Sequence, residues 1–304
     1  MAFTPFTGTY SSGDLQYVIN TLYSPKVERE YRANLVAGDF FDNLSGMFAG
    51  GGGHLSIPDI FTNQFTAQDK STGSNVTEQS PAEAELTLTV DTWKEVSYVI
   101  EDRQLKQIMA GSDVLDAYAS QAKYLIAKAL DTSLMALYSG LSQTVNDTAS
   151  DVTDADVRRA IESVVDGDVP MQRLAFFFHP TVIWYDLFGI SKYTGVYDSD
   201  PVVTGMLGGG ATEARKNAVR GRLYGVPVYE TTQVQADGAS SAYYNLLAAP
   251  EAFMFAVQIG PRSQANYIPE QLGTLWTTDI LYGVAEKRDA AAVVIRSRQT
   301  GVVS

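Results

Sequence analysis

The sequence predicts an α+β fold, on the basis of three patterns in its apolar residues. Residues 112–140 repeat apolar side chains every three or four positions, which is the period of one helix face. Residues 83–101 alternate apolar and polar side chains, which is typical of a strand with one buried face. Later in the chain, short apolar runs have the length of buried strands. These runs are Leu174–Phe178, Leu223–Tyr229, Tyr243–Leu247, Phe253–Gln258, Ile280–Ala285 and Ala290–Arg296.

The composition is that of a globular protein with a substantial core, since 45% of the 304 residues are hydrophobic. No apolar run approaches the ~20 residues that span a membrane, and the N-terminus lacks the pattern of a signal peptide. The chain has no cysteine, which excludes disulfides, thiolate catalysis and cysteine-bound metals. Its net charge of −13 argues against sequence-specific nucleic-acid binding, which normally needs a basic surface.

The first part of the chain is predicted to hold an arm, one helix and a glycine hinge. Residues 1–23 show no period and are expected to form an irregular arm. Ser24 and Pro25 can begin a helix that runs to about Gly38. A run of four glycines, Gly50–Gly53, lacks the Lys and Ser/Thr that complete a phosphate-binding loop, so a flexible hinge is the better interpretation.

The alternating segment predicts a long hairpin. Its first strand, Leu55–Ile57, should end at Pro58, and the polar residues 66–81 are typical of a mobile tip. Alternation from Glu83 to Glu101 would span about 60 Å if unbroken. A two-stranded ribbon is not stable alone in water, and few other long alternating strands are available to pair with it, so a partner subunit is favoured. The apolar face comprises Ala84, Leu86, Leu88, Val90, Val96, Tyr98 and Ile100.

The long helix is the most regular segment of the chain. Ser112 can cap its start and Gly140 can end it, about 40 Å further on. By itself such a segment is more often the core helix of an ordinary α+β domain. We expect its apolar face to pack on the last strands near Val293–Ile295, so that Leu125→Asp destabilises the protein. That face comprises Leu115, Tyr118, Ala122, Leu125, Ile126, Ala129, Ser133 and Leu137.

The second half begins with another capped helix. Thr153 can cap it, because acidic residues occupy the turn that follows. The acid-rich stretch around this point lacks the spacing and the glycine of a calcium loop. The strand Leu174–Phe178 leads into a short helix, Val182–Phe188. The last two strands are expected to form a hairpin around the charged turn Glu286-Lys287-Arg288-Asp289.

No catalytic constellation emerges, and no catalytic, cofactor-binding or metal site is predicted. The two histidines, His54 and His179, lie far apart in sequence, so His179 is expected to be structural. Glu101 and Asp102 are adjacent and would point to opposite faces of a strand. Residues 189–222 are predicted to be a long loop that fits neither a dinucleotide fingerprint nor a phosphate loop. Its basic cluster is Arg215, Lys216, Arg220 and Arg222.

Five segments, taken in order, carry a resemblance to a known family. They are HLSIP (His54–Pro58), TLTVDTWKEVSYVIEDR (Thr87–Arg103), FFFHPTVIWYDL (Phe176–Leu187), LYGVPVY (Leu223–Tyr229) and LYGVAEKRDAAAVVI (Leu281–Ile295). With the arm and the long helix, they resemble the major capsid protein of tailed bacteriophages, which has the Hong Kong 97 fold. Each motif is weak, and their order and spacing over nearly the whole chain are more specific.

The resemblance implies a non-catalytic subunit that self-assembles into hexamers and pentamers of an icosahedral head shell enclosing double-stranded phage DNA. Its implied parts are an N-terminal arm (1–45), an extended hairpin loop (46–103), the spine helix of the peripheral domain (104–141), an axial domain (142–276), and closing strands with a C-terminal tail (277–304). The loop would contact a neighbouring subunit, the basic cluster would lie near the capsomer centre, and the helix would form the spine. The implied residues are Lys70, Asn75, Leu86, Leu88 and Trp93 for the loop, Arg215, Lys216, Arg220 and Arg222 for the centre, and Tyr118, Leu125 and Ile126 for the spine.

The resemblance also implies partners and a location. Besides further copies of the chain, they are a portal protein, in some members a decoration or cement protein, and packaged DNA held by non-specific contact. A separate scaffolding protein is expected because the sequence opens directly on the arm. No cofactor or membrane contact is implied, and the protein would assemble in the host bacterial cytoplasm and reside in the virion. Some members cross-link a loop Lys to an Asn, but residues 277–304 contain no Asn, so cross-linking through Lys70 is not expected.

Three other functions stay open on the sequence. A cellular nanocompartment shell, similar to encapsulin, would share the fold and package a cargo enzyme. A nucleotide-binding enzyme would use the loop Gly205–Arg222. A sugar-binding module is suggested only by the 17 tyrosines, which more often serve packing.

Overall fold

The structure, a computed structural model, is mixed helix and sheet. It describes residues 35–59, 65, 67–73, 75–76, 78–79, 84–107, 111–146, 150–190, 219–237 and 242–298. The predicted arm and the predicted first helix up to residue 34 lie outside these ranges. So do residues 191–218, which include Arg215 and Lys216 of the basic cluster.

Helices and strands are interspersed along the described part of the chain. The helices of these residues are α1 (Ala37–Phe40), α2 (Asp102–Gln107), α3 (Gly111–Met135) and α4 (Asp154–Asp166). The strands are β1 (Asp42–Asn43), β2 (His54–Asp59), β3 (Ala84–Thr89), β4 (Thr92–Glu101), β5 (Thr144–Val145), β6 (Ala175–Phe178), β7 (Val219–Leu223), β8 (Val226–Glu230), β9 (Ala242–Ala248), β10 (Phe253–Ile268), β11 (Gly273–Glu286) and β12 (Ala292–Arg298). A 3-10 helix, Ala136–Gly140, follows α3, and a π-helical turn, Val182–Leu187, follows β6.

The described strands form three sheets. A six-stranded sheet has the order β5-β12-β9-β6-β8-β7, and a four-stranded sheet has the order β1-β10-β11-β4. The strands β2 and β3 form a separate two-stranded antiparallel ribbon. In the six-stranded sheet β6 runs parallel to β8 and antiparallel to β9, so the sheet is mixed.

Contacts within the chain divide it into two compact units. One contains Lys94–Ile126 and Pro261–Asp279 among the described residues, and the other contains Ala33–Trp93, Ala127–Gly260 and Ile280–Ser304. The larger unit holds the main apolar core. All four residues of β6, Ala-Phe-Phe-Phe, are buried there, and Phe41 stacks on Phe177 with 5.6 Å between ring centroids.

The smaller unit is held by polar and aromatic contacts. Nε and Nη2 of Arg262 donate hydrogen bonds to the Asp279 carboxylate, at 2.8 and 2.9 Å. The ring centroids of Tyr98 and Tyr118 lie 5.6 Å apart. Backbones also approach closely, since a Cβ on Gly273 would lie 2.8 Å from the Ile100 carbonyl oxygen. Polar contacts are prominent because the far end of β10 is polar on both faces.

The long helix is confirmed, but part of its predicted core face is wrong. Ile126 is 1% exposed and Ala122 is also buried, whereas Leu125 is 40% and Tyr118 39% exposed. Successive residues of a helix are about 100° apart around its axis. When Ile126 is at the centre of the buried face, Leu125 therefore lies at the edge of that face. The residue with the larger effect on stability is therefore Ile126.

The long helix meets the last strands near its own C-terminal end. The helix that packs on β12, which holds Val293–Ile295, is α4. Near its C-terminal end α3 instead meets β11, where the hydroxyls of Ser133 and Tyr282 are hydrogen-bonded at 2.8 Å. Leu134 and Met135 still join the main core to which β12 contributes.

The capped second helix is confirmed. The Thr153 hydroxyl accepts a hydrogen bond from the Asp156 N–H at 3.4 Å, and the Asp156 carboxylate accepts one from the Thr153 N–H at 2.9 Å. This capping box satisfies two backbone donors at the start of α4. The helix ends at Asp166, beside Gly167, as the sequence predicted.

Several strand boundaries differ from those expected. The long alternating strand breaks at Val90-Asp91 into β3 and β4, which belong to different sheets. Pro58, which was expected to end the first strand, lies inside β2. A two-stranded ribbon has one unpaired edge on each strand, so a proline without an N–H is tolerated there. Leu35 and Val36 are not helical, and the only helical residues of the predicted first helix that the structure describes are Ala37 and Gly38, in α1.

The predicted strand Leu223–Tyr229 is a hairpin. Its two strands, β7 and β8, are joined at Tyr224 and Gly225, whose φ angles of 51° and 85° suit a tight type I′ turn. The hairpin begins at Val219, so Arg220 and Arg222 lie on β7 and the predicted loop 189–222 ends earlier.

The predicted hairpin of the last two strands is wrong. β11 belongs to the four-stranded sheet, whereas β12 pairs with β9 and β5 in the six-stranded sheet. The charged segment between β11 and β12 is bound to other parts of the chain. The N–H groups of Lys287 and Arg288 donate to the Ala252 carbonyl at 2.8 and 3.2 Å. The Lys287 amine forms a salt bridge with Asp42 at 2.5 Å. These bonds let the chain cross from one sheet to the other.

Two strands are much longer than predicted. β10 reaches Ile268 and β11 starts at Gly273. The chain therefore contains a long partner for β4, the neighbouring strand β11. The sequence did not show these two long strands because Gly260–Tyr267 is exposed on both faces and has no apolar alternation. Among the described residues, no helix has the length and apolar character needed to cross a bilayer.

Candidate functional site

The ribbon of β2 and β3 is the described segment that best fits the expected contact loop. Its register places Leu55 opposite Leu88 and Ile57 opposite Leu86. Residues directly opposite one another in an antiparallel pair share a face, so these four side chains form one apolar face. The other face carries His54, Ser56, Thr87 and Thr89 and is exposed. The alternation predicted from the sequence is confirmed in this segment.

The base of the ribbon is buried. Leu88 and Val90 pack in a small apolar cluster with Phe48, Met254 and Ala256. A Cβ on Gly283 of β11 would lie 2.0 Å from the Thr89 carbonyl oxygen, so only a glycine allows this close approach. The ribbon is therefore anchored to the larger unit at the end where β3 finishes.

The glycine run holds this base by backbone contacts. The Gly52 carbonyl accepts a hydrogen bond from Gln258 Nε2 at 2.9 Å, and the Gly53 carbonyl accepts one from the Val90 N–H at 3.0 Å. Gly51 and Gly52 have φ angles of 88° and 115°, which favour glycine. The carbonyls of Gly52 and Gly53 thus hold the base of the ribbon.

The far end of the loop is exposed. The described residues between 65 and 79 have no helix or strand, and Lys70 and Asn75 are exposed there. Two apolar side chains are also unusually open, Phe65 at 65% and Val76 at 74% exposure. Single exposed apolar side chains are common on protein surfaces and do not by themselves mark a contact site.

The predicted contact residues thus fall into separate groups. The structure brings Leu86 and Leu88 together on the ribbon, with Leu88 buried at the base and Leu86 half-buried. Lys70 and Asn75 belong to the exposed tip. Trp93 lies beyond the ribbon, on β4, and is exposed.

The predicted basic cluster is only partly described. Arg215 and Lys216 lie outside the described residues, and Arg222 is exposed on β7. Arg220 is also on β7 rather than in a loop. Arg220 and Arg222 therefore lie on a regular strand and not in the predicted loop.

His179 has a structural role, as expected. Its ring stacks on Tyr243 with 3.9 Å between centroids, and its backbone N–H donates to the Asn245 side chain at 2.9 Å. Burial lowers the pKa of the imidazole, which keeps the ring neutral in this packed position. Within the described residues, no group of three or more His, Asp or Glu side chains is arranged to hold a metal ion.

Sequence reasoning missed a buried carboxylate on the long helix. Asp131 is buried and accepts hydrogen bonds from the N–H groups of Gly38 at 3.0 Å and Val36 at 3.4 Å. Burial raises the pKa of its carboxyl, against the lowering effect of these backbone donors. The signal was present, because Asp131 lies three residues before Leu134 and so falls on the buried side of α3. It ties the start of α1 to the helix.

No family model matches the chain, and no curated protein does. Solved structures do match over nearly the full length. A chain from Mycobacterium phage Che8 is 16% identical with a TM-score of 0.73, covering 94% of this chain and 98% of that one. A chain from the capsid of cyanophage P-SCSP1u is 14% identical with a TM-score of 0.67, covering 98% and 99%.

A third chain, from the mature capsid of bacteriophage PhiM1, is 15% identical with a TM-score of 0.58, covering 98% of this chain and 92% of that one. This protein has the fold of phage capsid proteins. Because the coverage is nearly complete in both directions, the capsid-protein fold accounts for the ribbon, the long helix and the sheets together, and not for one part of the chain.

Proposed function

We propose that this protein is the major capsid protein of a tailed bacteriophage. It would be a structural, non-catalytic subunit that self-assembles into hexamers and pentamers of an icosahedral shell enclosing double-stranded DNA. The observation that carries the proposal is the match of fold along nearly the whole chain to structures of phage capsids.

The proposed parts are those of the implied fold. Residues 46–103 are the extended loop that lies across a neighbouring subunit, and its buried base and exposed tip suit that role. Residues 104–141 are the spine, 142–276 the axial domain, and 277–304 the closing strands. An anchored base keeps the loop direction fixed, while an open tip leaves Phe65 and Val76 for the neighbour to cover.

The proposed partners follow from a head shell. They are further copies of the chain, a scaffolding protein, a portal protein and packaged DNA, with a decoration protein in some heads. The net charge of −13 suits a shell that holds DNA only by weak, non-specific contact, because like charges repel. The protein would assemble in the host cytoplasm and reside in the virion.

The direct test is assembly. The chain is co-expressed with the scaffolding protein from the same genome, and the product is examined by light scattering and negative-stain electron microscopy. We expect hexamers, pentamers or closed particles. A product that stays a folded monomer at high concentration, with the scaffold present, would refute the proposal.

The role of the tip is tested by deleting Asp69–Pro81. The described part of this segment contributes no strand and no buried residue to the core, so the subunit should stay folded by circular dichroism. Closed particles should no longer form, because the loop cannot reach its neighbour. Normal particles from this variant would show that the tip is not needed for assembly.

The fold alone does not distinguish a phage head from a nanocompartment shell. The contents of purified particles do, since a head holds or accepts DNA and a nanocompartment holds an enzyme. We expect scaffold or DNA and no stoichiometric cargo enzyme by mass spectrometry. A single co-purified enzyme at constant ratio would favour the nanocompartment.

A further inference from the structure

The chain enters the ribbon through a stretch in which the described side chains do not pack. Residues 49–54 are all exposed, and they contain the glycine run. No described atom lies within 4 Å of a Cβ added at Gly50, Gly51 or Gly53. Just before this stretch, Phe48 is buried in the apolar cluster at the base of the ribbon. Beyond Phe48, therefore, packing among the described residues does not set the direction that β2 takes.

The ribbon is packed against the larger unit through its other strand. Leu88 is buried in the apolar cluster, and the Thr89 carbonyl lies close to Gly283 of β11. The bond from the Val90 N–H to the Gly53 carbonyl continues the ladder between β2 and β3, so it moves with the ribbon. A ribbon that is fixed along one strand can still tilt about that strand. Its direction depends on a second attachment, on the side of β2.

A side chain of β10 provides this second attachment. Nε2 of Gln258 donates a hydrogen bond to the Gly52 carbonyl at 2.9 Å. Gly52 has a φ angle of 115°, which a side chain would strain, so the glycine lets its carbonyl face Gln258. The strand that carries Gln258 is itself fixed, because β10 pairs with β1 and its Val257 N–H donates to the Ser45 hydroxyl at 2.8 Å. The bond thus ties the glycine run to a rigid strand.

The length of the ribbon makes a small change at its base large at its far end. β2 has six residues, which is about 20 Å at 3.3 Å per residue. A tilt of about 10° at the glycine run would displace the far end of β2 by about 3.5 Å. Groups that make a specific contact must be held to within about 0.5 Å. A single bond at the base can therefore decide whether the loop reaches its contact correctly.

We propose that Gln258 is the positioning residue of the loop, and that its hydrogen bond to Gly52 sets the direction in which the ribbon leaves the larger unit. The bond is exposed to solvent, so it contributes little to the stability of the subunit. Its effect lies in assembly, because the loop has to meet a neighbouring subunit from one direction. The inference rests on the proposed shell function and adds to it the side chain that directs the loop.

A distance measurement in the free subunit tests the bond without any assembly. The chain has no cysteine, so spin labels can be placed at Ser56→Cys on the ribbon and Glu162→Cys on α4, both exposed and both in the larger unit. Electron–electron double resonance gives the distribution of distances between the labels. Gln258→Ala should broaden it by about twofold or more, because glycines restrict the backbone little. Gln264→Ala, at an exposed glutamine of the same strand, is the matched control and should leave it unchanged.

Two further variants separate the hydrogen bond from the size and charge of the side chain. Gln258→Glu keeps the size but has no N–H to donate at neutral pH, whereas Gln258→Lys supplies a donor of similar reach. The Glu variant should broaden the distribution as the Ala variant does, and the Lys variant should keep it narrow. A distribution that stays narrow in the Ala and Glu variants, or that is broad in the Lys variant, would overturn the inference.

The consequence for assembly is measured with the scaffolding protein present. Gln258→Ala should lower the yield of closed particles by about fivefold or more, as expected for the loss of one hydrogen bond per subunit. Its melting temperature should shift by no more than about 2 °C. Gln264→Ala should assemble like the natural chain.

The outcomes distinguish the inference from the proposed function. A normal yield of closed particles from Gln258→Ala would overturn the inference and leave the shell function standing. A Gln258→Ala subunit that does not fold would also overturn it, because the residue would then support the fold and not the direction of the loop. A natural chain that never forms particles would remove the shell function, while the distance measurement would still decide whether Gln258 fixes the ribbon.

Discussion

At the scale of single residues, the long helix gives the sharpest contrast. Ile126 is buried and Leu125 is 40% exposed, although they are neighbours of similar size. Ile126→Ala should lower the free energy of unfolding of the subunit by about 3 kcal/mol, because it removes buried apolar volume. Leu125→Ala is the matched control and should cost less than about 1 kcal/mol. Urea unfolding of both variants measures the difference, and equal losses would mean that the buried face is misassigned.

A second residue-scale prediction concerns Gly283. A Cβ there would overlap the Thr89 carbonyl oxygen, so Gly283→Ala must push β3 away from β11. We expect a loss of about 2 kcal/mol or more, of the kind seen on overpacking. Gly260→Ala is the control, since no atom lies within 4 Å of its added Cβ. Thermal melts of the two variants should separate clearly; matching melting temperatures would show that the ribbon base is not held against β11.

At the scale of elements, α4 depends on its capping box. Thr153→Ala removes the acceptor for the Asp156 N–H and should cost about 1 kcal/mol. Thr153→Ser keeps the hydroxyl and should recover most of that loss. Chemical denaturation of the purified subunit is the measurement. A Ser variant as unstable as the Ala variant would mean that the methyl group, and not the cap, stabilises this end.

The elements also show what a sequence can and cannot predict. The helix α3, the cap of α4 and the apolar face of the ribbon follow from periodicity and local hydrogen bonding, which nearby residues determine. β10 and β11 were underestimated because residues Gly260–Tyr267 are exposed on both faces and so lack alternation. Which sheet β12 joins depends on distant partners, β9 and β5, that no local pattern encodes.

The candidate site was predictable to a similar degree. The apolar pairs of the ribbon were expected from alternation, and their burial at the base was not, because it depends on Gly283 from a distant strand. The burial of Asp131 depends likewise on Val36 and Gly38, more than ninety positions away in sequence. The hydrogen bond from Gln258 to the glycine run also joins distant parts of the chain, so no local pattern shows it.

At the scale of the whole molecule, three carboxyl groups of the larger unit make stability depend on pH. Burial raises the pKa of Asp131, Asp186 and Glu286 above the ordinary values of such groups. A raised pKa means that the folded state binds a proton where the unfolded state has already lost it. Their contribution to stability is therefore fully present below the unfolded pKa values, about 4, and is lost as the pH rises through the folded values.

Asp131→Asn isolates one of these groups. The amide oxygen can still accept from the Gly38 N–H but carries no charge, so the burial cost of the ionised carboxylate disappears. The variant should gain stability relative to the natural protein as the pH rises from 4 to 8, while the two should be closest in stability at the acidic end. Asp116→Asn, at an exposed position of the same helix, controls for the change in net charge. Free energies of unfolding measured across this range give the comparison, and an Asp131 variant that loses stability relative to the natural protein towards pH 8 would mean that the two backbone donors outweigh burial.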